Sequence, residues 1–195
     1  MSNYDALLNV GKTLIKLLWE SISQDAQVKS IINSDHQITL SSPEDLTSEY
    51  KLCLFLYQIT EDPFCRNQPL AAAGPSRQQG SPIYLNLFYM ITPNTKDGEK
   101  DHILLGKIAQ VFNDNPVLKG PILHGGLSES GEEIRLVFNP LSLDDINKIW
   151  SVTSKSRPYT HSLYYEVTPV RIDSTLTRVI SRGFERSISY SGDGR

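Results

Sequence analysis

Two stretches constrain the fold more than anything else in this chain. Lys51–Thr60 places Leu52, Leu54 and Leu56 on one alternating face and Cys53, Phe55 and Tyr57 on the other. Pro82–Thr92 repeats the pattern, with Leu85, Leu87, Tyr89 and Ile91 against Tyr84, Phe88 and Met90. A strand with one wet face needs apolar residues only at every second position. Strands apolar on both faces belong in the middle of a sheet that is covered on both sides. The rest of the chain must therefore supply covering layers.

The covering elements are legible. Leu7, Val10, Leu14, Leu17, Leu18 and Ile22 recur at three- and four-residue spacing and predict an N-terminal helix, its stripe widened by Ile15 and Trp19. A short strand is expected around Gln37–Leu40, followed by Ser42-Pro43-Glu44-Asp45 as a turn or helix start. Asp101–Asn113 predicts a second helix through Leu104, Ile108, Val111 and Phe112. Ser142–Trp150 predicts a third: Ser142 at the N-cap meets Asp145 three residues on, and Ile146, Ile149 and Trp150 form the buried side. Glu133–Phe138 and Leu163–Ile172 read as two more strands, and Pro169, which has no N–H to donate, marks an edge or a bulge in the second. Helices alternating with strands imply a single α/β (α+β) domain, one mixed sheet flanked by helices. Its expected extent is 1–173, with a C-terminal arginine-bearing tail over 174–195.

Composition narrows the function. A chain of 195 residues with 39% hydrophobic residues has enough material for one substantial core. Its 19 basic and 22 acidic residues give a net charge of −3, without the basic excess or stripe of a phosphate-binding surface, so nucleic acid is not an expected partner. Cys53 sits in an apolar run and Cys65 in the loop behind it; one pair is no disulfide framework, and both thiols are expected to be reduced. Residues 1–22 interleave Asn3, Asp5, Asn9, Lys12, Lys16 and Glu20 with apolar residues, unlike a signal peptide or a membrane span, so the cytoplasm is the expected compartment.

No catalytic set assembles. None of His36, His102, His124 and His161 lies at metal-ligand spacing from another His, Cys or acid. His124-Gly125-Gly126 has no nucleophile elbow to serve and reads as a glycine turn. Val10-Gly11-Lys12-Thr13 imitates the end of a phosphate-binding loop, but Lys12 lies mid-helix. Asp144-Asp145 suits a helix N-terminus, and Glu132-Glu133 a solvated strand start. Three segments are left over. Asp62–Ser81 is a twenty-residue connection of the kind used for binding or assembly, and it carries Arg66-Asn67, a fork-shaped donor beside an amide. Asp114–Glu132, with four glycines, is expected to be mobile. The tail carries Arg178, Arg182, Arg186 and Arg195 with too little apolar content to pack alone.

The ordered set Leu54–Tyr57, Arg66-Asn67, Leu85-x-Leu87-x-Tyr89-Met90-Ile91-Thr92-Pro93, His102-Ile103-Leu104-Leu105-Gly106, Leu141-Ser142-Leu143-Asp144-Asp145-Ile146-x-x-Ile149-Trp150-Ser151 and Leu163-x-Tyr165-Glu166-Val167 does match something. From about Leu7 to Ile172 it resembles the N-terminal domain of the tube-cap, or tail-terminator, proteins of phage-tail-like contractile injection systems. The strand with Thr-Pro and the Asp-Asp-x-x-x-x-Trp-Ser helix, in this order, make the likeness specific. The resemblance implies a tail-terminator-like fold and a non-enzymatic structural role: a homo-oligomeric ring, a hexamer, that ends the inner tube and sheath and holds particle length fixed. It implies the tube protein and the sheath protein as partners, no cofactor, assembly in the cytoplasm and incorporation into the particle. The sequence ends soon after the domain, so functions of a longer C-terminal region in relatives are not carried over.

Head-to-tail ring contacts require two different patches on each subunit. Arg66, Asn67 and Leu70 in the long loop, with Arg178, Arg182 and Arg186 in the tail, are the candidate interface residues. Local capping of loop carbonyls within one subunit is the competing role for Arg66 and Asn67. The alternative functions are a tail or baseplate adaptor and, at a distance, a small hydrolase using His124 or His161.

Overall fold

The computed structural model describes residues 4–65, 77–129, 131–153 and 156–179. Helix α1 (Ala6–Ile22) carries the predicted stripe, with Val10, Leu14, Leu18 and Ile22 buried. A short α2 (Ala26–Lys29) follows; the Asp25 carboxylate accepts the backbone N–H groups of Gln27 and Val28 at its start. The strands are β1 (Ile38–Thr39), β2 (Leu52–Glu61), β3 (Arg77–Gln79), β4 (Ile83–Pro93), β5 (Val117–Lys119), β6 (Glu133–Phe138), β7 (Leu163–Ile172) and β8 (Thr177–Val179), with α3 (Gly98–Asp114) and α4 (Leu143–Thr153) between them.

Six strands form one mixed sheet in the order β1-β2-β4-β7-β6-β5, parallel at β1–β2 and antiparallel elsewhere, while β3 and β8 make a separate two-stranded ribbon. The doubly apolar strands β2 and β4 are interior, as their composition requires. One face carries the main core, where α1 and α3 pack on Leu54, Leu87, Ile91, Val167 and Leu136. Phe112 of α3 meets Tyr165 of β7 edge-on at 4.9 Å between ring centroids. The other face carries a smaller cluster, in which Trp150 of α4 covers Met90 and Tyr164, with Phe55, Tyr57, Ile146 and Ile149 around it.

Two bulges change which side chains face which layer. In β2, Leu56 pairs with Tyr89 and Gln58 with Phe88, so Tyr57 is an extra residue. Leu52, Leu54 and Leu56 face the α1–α3 side before it; Ile59, opposite Leu87, takes that side after it. In β7, Thr168 and Pro169 together stand against Asn86, so Val167 and Val170, three apart, are both fully buried. Pro169 therefore marks a bulge in an interior strand and not an edge strand, because β7 lies between β4 and β6.

The segment Asp114–Glu132 is not the mobile glycine loop the sequence suggested. It holds β5, two short 3-10 turns, and the buried residues Leu118, Leu123 and Leu127. Thr13 fastens it to α1, because its hydroxyl accepts the His124 N–H at 2.8 Å while donating to the Asn9 carbonyl at 2.7 Å. The Ser142 cap is as expected: its Oγ accepts the Asp145 N–H at 3.2 Å and donates to the Asp145 carboxylate at 2.6 Å.

Candidate assembly surface

The surface is built at the end of the sheet where β2 and β7 finish and β4 begins. Asp62 closes β2: its N–H donates to the Tyr84 carbonyl at 2.8 Å, and its carboxylate accepts the Phe64 N–H at 2.8 Å. Phe64 is 94% exposed just beyond this turn. At the end of β7 an Arg171–Asp173 ion pair of 2.6 Å holds the departing chain. The two leaving segments then meet. Gln79 Nε2 donates to the Ser174 carbonyl at 2.7 Å, Gly80 N–H to the Leu176 carbonyl at 2.8 Å, and Gln78 stands opposite Arg178 in the β3–β8 ribbon. The long connection and the tail, singled out separately in the sequence, thus become one feature. The connection is also not structureless throughout, since β3 lies within it.

Of the candidate interface residues, Arg178 lies in β8 with its backbone paired to β3. Arg66, Asn67, Leu70, Arg182 and Arg186 lie outside the described residues.

A second part of the surface was not read from the sequence. Helix α4 covers only the half of its sheet face around Met90 and Tyr164. Among the described residues nothing covers the other half: Val117 and Val137 are 38% and 44% exposed, and a cavity of about 510 Å³ is lined by Asp62, Asn86, Arg135, Glu166 and Thr168 among others. Burial, and then the nearby charge of Asp62, hold the Glu166 carboxyl above the usual carboxylate range. The available signal was the alternation in β6, whose Glu133, Arg135 and Val137 are exposed while Ile134 and Leu136 are buried. At the opposite edge of the sheet, a cleft of about 280 Å³ separates Tyr57 and Gln58 of β2 from Lys148, Ile149 and Val152 of α4.

Neither cavity holds a nucleophile–base arrangement. Cys65 borders the larger one, but desolvation and the neighbouring Asp62 raise its thiol above the ordinary value, which disfavours the thiolate. The His102 and His161 rings lie 6.0 Å apart in an edge contact, and His124 faces Asn9, with Nδ1 3.4 Å from Oδ1. Among the described residues no group of three His, Cys, Asp or Glu is placed to hold a metal ion, and no helix is long and apolar enough to cross a membrane.

A mixed sheet with helices on both faces and an arm of paired segments at one end defines a scaffold that presents surfaces. The chain belongs to the Pvc16 N-terminal domain family, whose model matches residues 9–182. Its fold is similar to that of the PVC sheath/tube terminator of an extracellular contractile injection system in the extended state, with a TM-score of 0.65 and 18% identity over 96% of this chain and 64% of that one. It is also similar to the anti-feeding prophage tube terminating cap, with a TM-score of 0.62 and 17% identity over 98% of this chain and 63% of that one. This chain thus spans slightly under two thirds of either structure. No curated protein matches it.

Proposed function

We propose that this protein is a non-catalytic cap that ends the tube and sheath of a contractile injection particle and thereby fixes particle length. The observation that carries the reading is that the family match and the fold similarity run over nearly the whole chain, and that both similar structures are tube terminators or caps. A terminator requires no active site. It requires one face complementary to the last tube and sheath layer and another that offers no site for further addition.

Copies of the chain form a closed ring, a hexamer, through head-to-tail contacts between unlike patches. The ring is made in the cytoplasm and becomes part of the particle, with tube and sheath proteins as its partners. Arg66, Asn67 and Leu70 in the connection after Asp62, and Arg178, Arg182 and Arg186 in the tail, are the residues we assign to these contacts. Their support is that the roots of both segments lie side by side in the β3–β8 arm.

Electron microscopy of particles made with and without the gene tests this. Tubes or sheaths of uncontrolled length are expected without it. Uniform, normally capped particles in its absence would refute the terminator role and favour an adaptor elsewhere in the tail.

A further inference from the structure

Two patches stand out at the end of the sheet where β2 and β7 begin, the end away from the β3–β8 arm. The first is a groove between α1 and β1, the outermost strand on that side of the sheet. Two adjoining cavities form it, one of about 270 Å³ reaching Trp19 and His124, the other of about 630 Å³ reaching Leu40 and Tyr50, with Lys12, Ile15 and Asp35 lining both. Ile15, Trp19 and Leu40 pack on the main core but are only partly buried. Most charges here are already engaged. Lys16 donates to the Pro121 carbonyl at 3.2 Å and stands 3.9 Å from Glu20, and Asp35 accepts the His36 N–H at 2.9 Å. Lys12 is different: among the described residues it has no hydrogen bond or ion pair.

The second patch is the start of α4. Leu143 is 81% exposed, and Phe138, at the end of β6, is 53% exposed. The helix turns Ile146, Ile149 and Trp150 to the sheet instead. Asp145 is engaged by Ser142 and by Lys148, whereas Asp144 has no hydrogen bond or ion pair among the described residues. An exposed leucine beside an unpaired carboxylate is the counterpart of an apolar groove beside an unpaired ammonium. The two patches lie apart in one copy. Helix α4 starts beyond β6 and ends beside Ser42, whose hydroxyl donates to the Thr153 carbonyl at 3.3 Å, so it crosses the sheet from the β6 side to the β1 side. Four strand spacings separate β1 from β6, about 19 Å, and α1 and α4 cover opposite faces of the sheet. The groove and the α4 start therefore cannot meet within one copy. They sit at opposite sides of the sheet and at the same end of it, the placement that a head-to-tail contact between identical subunits needs.

We propose that the start of α4 of one copy docks in the α1–β1 groove of the next, with Leu143 against Ile15 and Trp19 and Asp144 paired with Lys12. Apolar contact supplies the affinity; the exposed ion pair, modest in energy, fixes register and partner. The choice of a second copy as occupant rests on the ring reading above, and it adds a contact at the end of the sheet opposite the arm. Each subunit is then donor and acceptor through unlike patches, as a closed ring requires.

The test uses the full chain in two differently tagged forms, co-expressed with the rest of the gene cluster. Recovery of one tag with the other is read on the purified chain and on particles. Lys12→Glu and Asp144→Lys, each placed in both tagged forms, should lower that recovery severalfold. The chain carrying both substitutions should restore it, which a merely misfolded variant cannot do. Leu143→Ser should lower recovery as well, with an unchanged urea midpoint in dilute protein, because that side chain is already exposed. Full recovery with either charge reversal, no restoration in the doubly substituted chain, or no recovery between wild-type copies in either preparation would overturn the proposal. A loss confined to Lys12→Glu would put a different chain in the groove and overturn it too. Length control that depends on the gene, with recovery indifferent to both charges, would refute the contact alone. Normal length without the gene would refute the terminator reading, while the recovery pattern of the purified copies still decides the contact.

Discussion

Gly125→Ala probes the packing of the glycine-rich segment against α1. Gly125 has φ +59°, and an ideal Cβ there would lie 2.7 Å from Asn9 Oδ1 and 2.9 Å from its Cγ. Asn9 is itself only 5% exposed and is held in α1, so it has little room to retreat. Two costs therefore add: about 1–2 kcal/mol for an L-residue in the left-handed region and about 1–3 kcal/mol for overpacking. Gly131 is the matched control, with φ +70° and nothing within 4 Å of its ideal Cβ. Gly131→Ala should show the conformational cost alone, about 1–2 kcal/mol. The assay is urea unfolding followed by circular dichroism, with midpoints compared at unchanged slope. In a second step Asn9→Ala, which clears the space, should make Gly125→Ala cost no more than Gly131→Ala. Equal destabilisation by the two glycine variants in the wild-type background would refute the claim that 120–127 is packed on α1.

Other expectations are simpler. Ser142→Ala removes the N-cap of α4 and should cost about 1 kcal/mol, read as a lower urea midpoint. Trp150→Ala empties the centre of the smaller core and should cost about 3–5 kcal/mol, with α4 amides losing hydrogen-exchange protection before those of α3. The helix-starting carboxylates Asp25, Asp97 and Asp145 are all lowered below the ordinary value, by the Val28 N–H, by Lys100 and by Ser142 respectively. Lowered acids contribute stability above their unfolded values and lose it as pH falls, so the urea midpoint should drop below about pH 4, and Asp97→Asn should weaken that drop. Burial pushes the Cys53 thiol up to about 12, and its Sγ donates to the Ser41 carbonyl, so native protein should react slowly at Cys53 with a thiol reagent and faster at Cys65. Equal rates at the two positions would contradict the buried placement.

Much of the fold was legible because helix and strand periodicities are local properties. The stripe of α1, the doubly apolar faces of β2 and β4, and the reciprocal Ser142–Asp145 cap are each contained within one element and need no distant partner to be recognised. The resemblance to the family was read from these elements in order, and the family model matches residues 9–182.

Other features depend on residues far apart in the chain. Strict alternation would put Val167 and Val170 on opposite faces; the bulge against Asn86 buries both, and only the pairing of β7 with β4 creates it. Asp114–Glu132 looks like a flexible loop by composition, yet a hydrogen bond between His124 and Thr13, 111 residues apart, fixes it on α1. The long connection and the tail meet only because β4 and β7 start and end at the same margin of the sheet. The sequence by itself determined α1, α3, α4 and the strands β2, β4, β6 and β7, whose periodicity is local. The tertiary structure decided strand order and, among the described residues, the half-face that α4 leaves uncovered, because backbone pairing joins groups that no local pattern can match in advance.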